Sequence, residues 1–472
     1  NLFWDKTNNE LVYSVEEPKL DESEKRILSM LEEGVRELIN ISFINIKEES
    51  KVIEYLEKNI HILLKEFGIK ISQDTFLKLM YYIYRDFIGL NEIEPLLRDY
   101  FIEDIECNGV NTPVYIVHRK YRNLRTNIVF KDSKKLANLV EKLAQRCGKY
   151  VSYANPIFDG RLPTGERVNA TYTQDITSRG PTFSIRKFVK EPWTPIKLID
   201  FRTLSPEILA YLWLLIEYES NIMIIGGTGS GKTSFLNGIA FFIPPQARVI
   251  SIEDTKELNL LHENWLPSVA REGTSTSSAK QSEVTMFDLL KESFRQRPDY
   301  VIVGEIRGAE AFVVFQGMSS GHPSFATMHA EDVATMIKRL ETPPINLSPT
   351  LVESIDAVCI MTNARIRKEN VRRLREISEI VNVGARGFKS NSPFVWDPRQ
   401  DKFFFKTDSV IFNRIAVKYG ITTEQLMKEF NVRTKLLWKM YQRKIFGFKE
   451  VQDTINLYYR SPEEVLKKFG II

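Results

Sequence analysis

Apolar residues recur every three to four positions through the first hundred residues, a spacing that predicts amphipathic helices. One follows the acidic start Asp21-Glu22-Ser23-Glu24 and carries Ile27, Leu31 and Val35. A second carries Val52, Leu56, Ile60 and Leu63, and a third carries Phe76, Met80, Ile83 and Phe87. Residues 1–100 therefore read as an N-terminal helical region. From 101 to 188 the period shortens to two. Strands are expected at 113–117, 126–130 and 182–188, a helix at 134–147, and a hairpin over 159–170, where Gly160 and Pro163-Thr164-Gly165 signal turns. This is an α+β pattern. Pro192 and Pro195 punctuate residues 189–199, which read as a stiff hinge linker. Between 200 and 385 helical and buried-strand patterns alternate, predicting an α/β domain with a doubly wound, mostly parallel sheet. Its strands are expected at 221–226, 247–253, 299–304, 323–328 and 356–361. Residues 386–472 return to helical spacing, with helices expected at 413–419, 423–430, 433–445 and 462–468. A small Ser/Thr-rich loop stands at 273–278.

Composition narrows the class. The 472 residues are 43% hydrophobic and 27% charged, ordinary for a globular protein of two or three domains. A net charge of +4 is too mild to argue for nucleic acid, although a local basic face could meet anionic headgroups. The longest apolar stretch, 208–225, is interrupted by Glu217, Glu219, Ser220 and Asn221, so no membrane span is expected. With no secretory signal either, the expected location is cytoplasmic. Cys107, Cys147 and Cys359 are isolated from one another, which predicts neither a zinc site nor a disulfide framework.

The chemistry centres on Gly226-Gly227-Thr228-Gly229-Ser230-Gly231-Lys232-Thr233, which meets every fixed position of the phosphate-binding loop. A buried-strand pattern precedes it and a helical pattern beginning at Ser234 follows, the order such a loop requires. The glycines let consecutive amides face one anion, and the helix start adds partial positive charge. Lys232 is expected on the β and γ phosphates of ATP, and the Thr233 hydroxyl on Mg²⁺.

Hydrolysis needs more than a loop: water must be oriented, Mg²⁺ held and the γ-phosphate charge met. Three later segments can supply these groups. Val249–Asp254 is an apolar strand pattern ending in Glu253 and Asp254. Tyr300–Arg307 runs through four apolar residues to Gly304 and Glu305, so the usual Walker-B aspartate position holds glycine and Glu305 is left to act on the metal through water. Gly321–His329 places His322 and His329 seven residues apart around a strand pattern. A neutral imidazole there could bond the γ-phosphate. Each segment also has a plain structural explanation, as a solvated strand end or a core histidine.

In this order the four segments resemble the type II/type IV secretion ATPase superfamily, whose Walker A, Asp, Walker B and His boxes match at 226–233, 251–254, 301–305 and 321–329. The resemblance extends over roughly 85–385. It implies a homo-hexameric ring with a RecA-like C-terminal ATPase domain and a smaller N-terminal domain. It assigns Glu253 as general base, Glu305 as the Mg²⁺-holding acid, and His329 with His322 as the γ-phosphate box. Arg161 and Arg167 match N-terminal-domain arginines that reach the γ-phosphate on closure. The lack of a tetracysteine insert and the N-terminal helical extension look most like the archaeal branch, in particular the archaellum motor ATPase. An archaeal pilus-assembly or secretion ATPase is close behind. The implied partners are a polytopic membrane platform protein, accessory cytosolic regulators and an anionic lipid surface, with the ring peripheral on the cytoplasmic membrane. A nucleic-acid translocase on the same core would need a basic, aromatic-interleaved groove, which the sequence lacks. A non-hydrolysing scaffold should have lost one of Lys232, Thr233, Glu253 or Glu305.

Overall fold

The alternating pattern of the middle of the chain closes into one sheet. A computed structural model describes residues 1–38, 49–188, 191–271, 283–367, 369–384 and 387–472. The Ser/Thr-rich loop at 273–278 and residues 189–190 of the expected linker lie outside the described residues. Contacts divide the chain into two units, Asn1–Phe188 and Val189–Ile472.

In the first unit eight strands form one sheet: Leu2–Asp5 (β1), Glu10–Tyr13 (β2), Ile102–Cys107 (β3), Pro113–His118 (β4), Arg122–Val129 (β5), Ile157–Arg161 (β6), Arg167–Thr171 (β7) and Thr182–Arg186 (β8). Their order is β1-β2-β5-β4-β3-β8-β7-β6. The helix Ser133–Arg146 lays Leu136, Leu139, Val140 and Leu143 into this unit's core, as its amphipathic spacing requires. The expected N-terminal helices appear at Glu22–Leu38, Glu49–Glu66 and Gln73–Ile83, and bury Leu31, Val35, Leu56, Ile60 and Leu79 against one another. The β1–β2 hairpin ahead of them was not expected. Its strands are too short to show a period, and they are fixed by a distant partner: β2 pairs in parallel with β5, Val12 opposite Arg125.

The second unit carries Ile222–Gly226 (β9), Val249–Glu253 (β10), Trp265–Val269 (β11), Tyr300–Val303 (β12), Ser324–Met328 (β13), Ala357–Ile366 (β14), Glu369–Gly384 (β15), Gly387–Asp397 (β16) and Lys402–Phe405 (β17). They lie in the order β11-β10-β12-β13-β9-β14-β15-β16-β17. The first six are mutually parallel and the last three antiparallel. Strands β9, β10, β12 and β13 are buried along their whole length, which is why they read as mostly apolar runs. The loop-bearing β9 sits between β13 and β14, with β12 one strand further out, the RecA-like arrangement.

Beyond residue 386 the outcome differs from the helical expectation. β16 and β17 extend the sheet first, and helices Val410–Tyr419, Thr423–Gln442, Phe448–Arg460 and Pro462–Phe469 follow. Residues 423–445, read as two helices, are mostly one. These helices pack into the same core as Pro206–Glu217 and the loop strand, through Ile411, Leu436, Leu437 and Ile455. A buried carboxylate ties them down. Glu379 accepts hydrogen bonds from Tyr211 Oη at 2.6 Å, Asn391 Nδ2 at 2.6 Å and the Val410 amide at 2.8 Å.

Candidate active site

Parallel strands deliver their C-terminal ends to one edge, and four of the expected residues stand there. Lys232 follows β9, Glu253 ends β10, Glu305 lies just past β12, and His329 just past β13. At the loop itself Gly226 is required by crowding, since a Cβ would collide with the Met361 carbonyl of β14. Gly231 is required by conformation, with φ +89° at the start of the helix Lys232–Ala240. Ser230 is buried and closes the turn on the Gly227 carbonyl at 2.8 Å. Gly227, Thr228 and Gly229 form an exposed tip, while Thr233 and Ser234 are half-buried in the helix's first turn.

Lys232 is folded onto its own loop. Its Nζ donates to the carbonyls of Gly226 and Gly227, both at 3.0 Å, and lies 3.3 Å from His329 Nδ1. An ammonium can only donate, so Nδ1 accepts and the neutral ring carries its hydrogen on Nε2. That Nε2 stands 3.1 Å from Glu305 Oε1. His329 thus spans Lys232 and Glu305. Burial first, and the Lys232 cation second, hold the His329 imidazole below its ordinary value against the pull of Glu305. Burial likewise lowers Lys232, opposed by Glu305.

Glu305 divides its two oxygens. Oε2 accepts from Arg307 Nη2 at 2.6 Å, and Arg307 Nη1 lies 3.7 Å from Asp254. Oε1 is buried and, with His329 Nε2 beside it, makes no hydrogen bond among the described residues. A carboxylate oxygen kept for a hydrated cation needs that arrangement, so the donor set of Glu305 and the half-buried Thr233 fits Mg²⁺.

Glu253 is buried, and its Oε1 accepts from the amides of Glu257 and Leu258 at 2.7 and 2.9 Å. The loop so wrapped is pinned to the phosphate-loop helix by Asn237. Its Nδ2 donates to the Thr233 and Glu257 carbonyls and its Oδ1 accepts from the Asn259 amide.

The remaining candidates stand elsewhere. His322 precedes β13 and so occupies the opposite edge of the sheet from His329, roughly 20 Å away at the rise of a strand. There its ring meets Phe294 edge-on at 5.1 Å. The structure does not bring it to the loop, because seven residues along a parallel strand separate the two ends. Arg161 and Arg167 belong to the first unit, directly opposite each other across β6 and β7, with Arg167 paired to Asp159 at 2.6 Å. Sequence reasoning missed Asn237, Arg307, Asn363 and Arg372. Asn237 is one helical turn after Thr233 and Arg307 two residues after Glu305, spacings that could have exposed both. Nothing local marks the other two. Asn363 donates to the Thr228 carbonyl at 3.2 Å and Arg372 to that of Gly229 at 3.0 Å, from strands more than a hundred residues downstream.

A glycine loop between parallel strands, with a lysine, two acids and a histidine at one sheet edge, defines a RecA-like P-loop ATPase. The model of the Type II/IV secretion system protein family matches residues 89–378, and the chain belongs to that family. An uncharacterized protein of Methanocaldococcus jannaschii is 39% identical over 404 residues, covering 84% of this chain and 72% of the relative. The conjugal transfer protein TrbB of Rhizobium radiobacter is 30% identical over 242 residues, 50% of this chain and 70% of the relative. Among solved structures, the Legionella pneumophila ATPase DotB is 16% identical with a TM-score of 0.42, over 80% of this chain and 93% of that one. No helix among the described residues is long and apolar enough to cross a membrane.

Proposed function

We propose that the protein is one subunit of a homo-hexameric motor that hydrolyses ATP to assemble or rotate an archaeal type IV pilus-like filament, the archaellum. The observation that carries the hydrolytic part is the meeting of Lys232, His329, Glu305 and Glu253 at the ends of four adjacent parallel strands. Lys232 exchanges the Gly226 and Gly227 carbonyls for the β and γ phosphate oxygens, while the loop amides of 227–234 cradle the phosphates. Glu253, oriented by two amides on Oε1, takes the proton of the attacking water. Thr233 and, through water, Glu305 would hold Mg²⁺, which would offset the charge of the phosphates. His329 faces the γ-phosphate once Lys232 has moved. Arg161 or Arg167 supplies positive charge when the units close, which ties domain motion to hydrolysis.

The family match supports a secretion-type motor role, and the relative from Methanocaldococcus jannaschii an archaeal setting. The family match leaves room for a second reading, an archaeal pilus-assembly or type II-like secretion ATPase using the same site. In either case the ring docks from the cytoplasm on a polytopic membrane platform, with anionic lipid and accessory regulators as further contacts, and nucleic acid is not its cargo. The test pairs purified chain with cells. Magnesium-dependent ATPase without stimulation by DNA or RNA is expected in vitro. A chromosomal Lys232→Ala allele is expected to abolish archaella and swimming. Loss of adhesive pili or secreted proteins with swimming intact would establish the second reading instead.

A further inference from the structure

Arg372 lies outside every motif, yet three parts of the second unit meet at its side chain. Its Nε donates to the Gly229 carbonyl at the exposed tip of the phosphate loop, 3.0 Å away. Its Cδ lies 3.2 Å from the place a Cβ on Gly231 would take. Its guanidinium carbon stands 6.0 Å from the ring centroid of Trp193, in the connector that leads from the first unit. Asn363, directly opposite Arg372 across the β14–β15 hairpin, donates to the neighbouring Thr228 carbonyl at 3.2 Å. The loop is thus held from outside by two hairpin side chains, on the carbonyls of 228 and 229. From inside it is held by Lys232, on the carbonyls of 226 and 227.

These two grips respond differently to a ligand. Phosphates are bound by the loop's amides, which point away from the carbonyls that Arg372 and Asn363 engage. The outer grip therefore does not compete with nucleotide. Lys232 does have to leave its carbonyls for phosphate oxygens, so the Gly226 carbonyl loses that donor while the Gly227 carbonyl stays bonded to Ser230. A shift of the loop tip on losing that inner grip would reach the Gly229 carbonyl and the Arg372 side chain bonded to it. On the far side Trp193 is half-buried. Its ring meets Phe201 at a tilt of 53° with centroids 4.8 Å apart, and the connector helix Pro195–Asp200 packs so closely on the loop helix that a Cβ on Gly238 would meet Leu198 at 2.5 Å.

We infer that Arg372 is a positioning residue that relays nucleotide occupancy of the phosphate loop to Trp193 in the connector between the two units. It touches neither nucleotide nor reacting atoms. The inference rests on the loop being the nucleotide site, and the test separates the two. Full-length chain is titrated with MgADP while tryptophan emission is followed, with Trp193→Phe subtracted to isolate the Trp193 signal, and affinity is measured separately with a fluorescent ADP analogue. Wild type is expected to show a saturable, Trp193-dependent change. Arg372→Ala is expected to lose it while the Kd for ADP stays within about threefold. Arg372→Lys keeps the charge but not the planar donor, and is expected to bind ADP without restoring the change, which keeps the test valid if the alanine variant folds poorly. An undiminished Trp193-dependent change in both variants, or none in a wild type that binds ADP, overturns the relay. A wild type that does not bind ADP overturns the nucleotide-site reading instead.

Discussion

Gly304 and Glu253 occupy one space from adjacent strands. A Cβ built on Gly304 would stand 3.0 Å from Glu253 Cγ, closer than side-chain carbons ordinarily approach. Glycine at the usual Walker-B aspartate position is therefore the condition for a buried glutamate on β10.

This relationship predicts a graded effect of filling position 304. Gly304→Ala pushes Glu253 by a few tenths of an ångström and is expected to lower kcat about tenfold, one decade per ~1.4 kcal/mol of misplaced general base. Gly304→Asp adds a like charge against Glu253 and is expected to remove turnover while ADP still binds. Steady-state ATPase and nucleotide affinity, measured side by side, check both. Equal activity of wild type and Gly304→Asp would show that Glu253 is not the base.

The two carboxylates should separate by substitution. Lys232→Ala is expected to abolish hydrolysis and weaken ATP binding, since the site loses its cation on the phosphate oxygens. Glu253→Gln keeps shape but cannot take a proton, so ATP stays bound and kcat falls by roughly 10²–10⁴. Glu305→Gln is expected to raise the Mg²⁺ concentration needed for half-maximal rate. A magnesium shift in Glu253→Gln and a trapped ATP state in Glu305→Gln would mean the roles are exchanged.

His329 should give the pH profile an acid limb. Its folded value is lowered from 6.5, so the ring is neutral at pH 7 and accepts from Lys232. The proton arrives only as pH falls below 6.5, where Nδ1 ceases to accept and the ring repels Lys232. The rate is therefore expected to hold through neutral pH and decline with a midpoint below 6.5. In His329→Gln that limb should vanish from kcat, and its persistence would assign it to another group.

Arg161 and Arg167 should matter for rate and little for folding. Arg167 is about one-third exposed and its pairing with Asp159 is a surface contact, so its loss should change stability by about 1 kcal/mol or less. Alanine at the residue that meets the γ-phosphate is expected to lower kcat by roughly 10³ or more with ADP affinity unchanged. Turnover near wild type in both single variants and in the double variant would remove the hairpin from catalysis.

The sequence by itself determined the elements whose cause is local or periodic. Fully buried parallel strands are predominantly apolar, so β9, β10, β12, β13 and the start of β14 could be read directly, and a phosphate loop needs fixed residues at fixed spacing. The amphipathic helices were legible for the same reason. Tertiary structure alone decided what depends on partners far along the chain. β1 and β2 exist because β5 accepts them. β15 to β17 prolong a sheet whose edge is set by β14, and Glu379 binds the C-terminal helices into the ATPase core through Tyr211 and Val410. At the site, spacing named Lys232, Glu253, Glu305 and His329, but only strand order made His329 span Lys232 and Glu305 and carried His322 to the other edge. Hydrogen bonds and packing act over a few ångströms in space, and sequence separation carries no distance once the chain has folded.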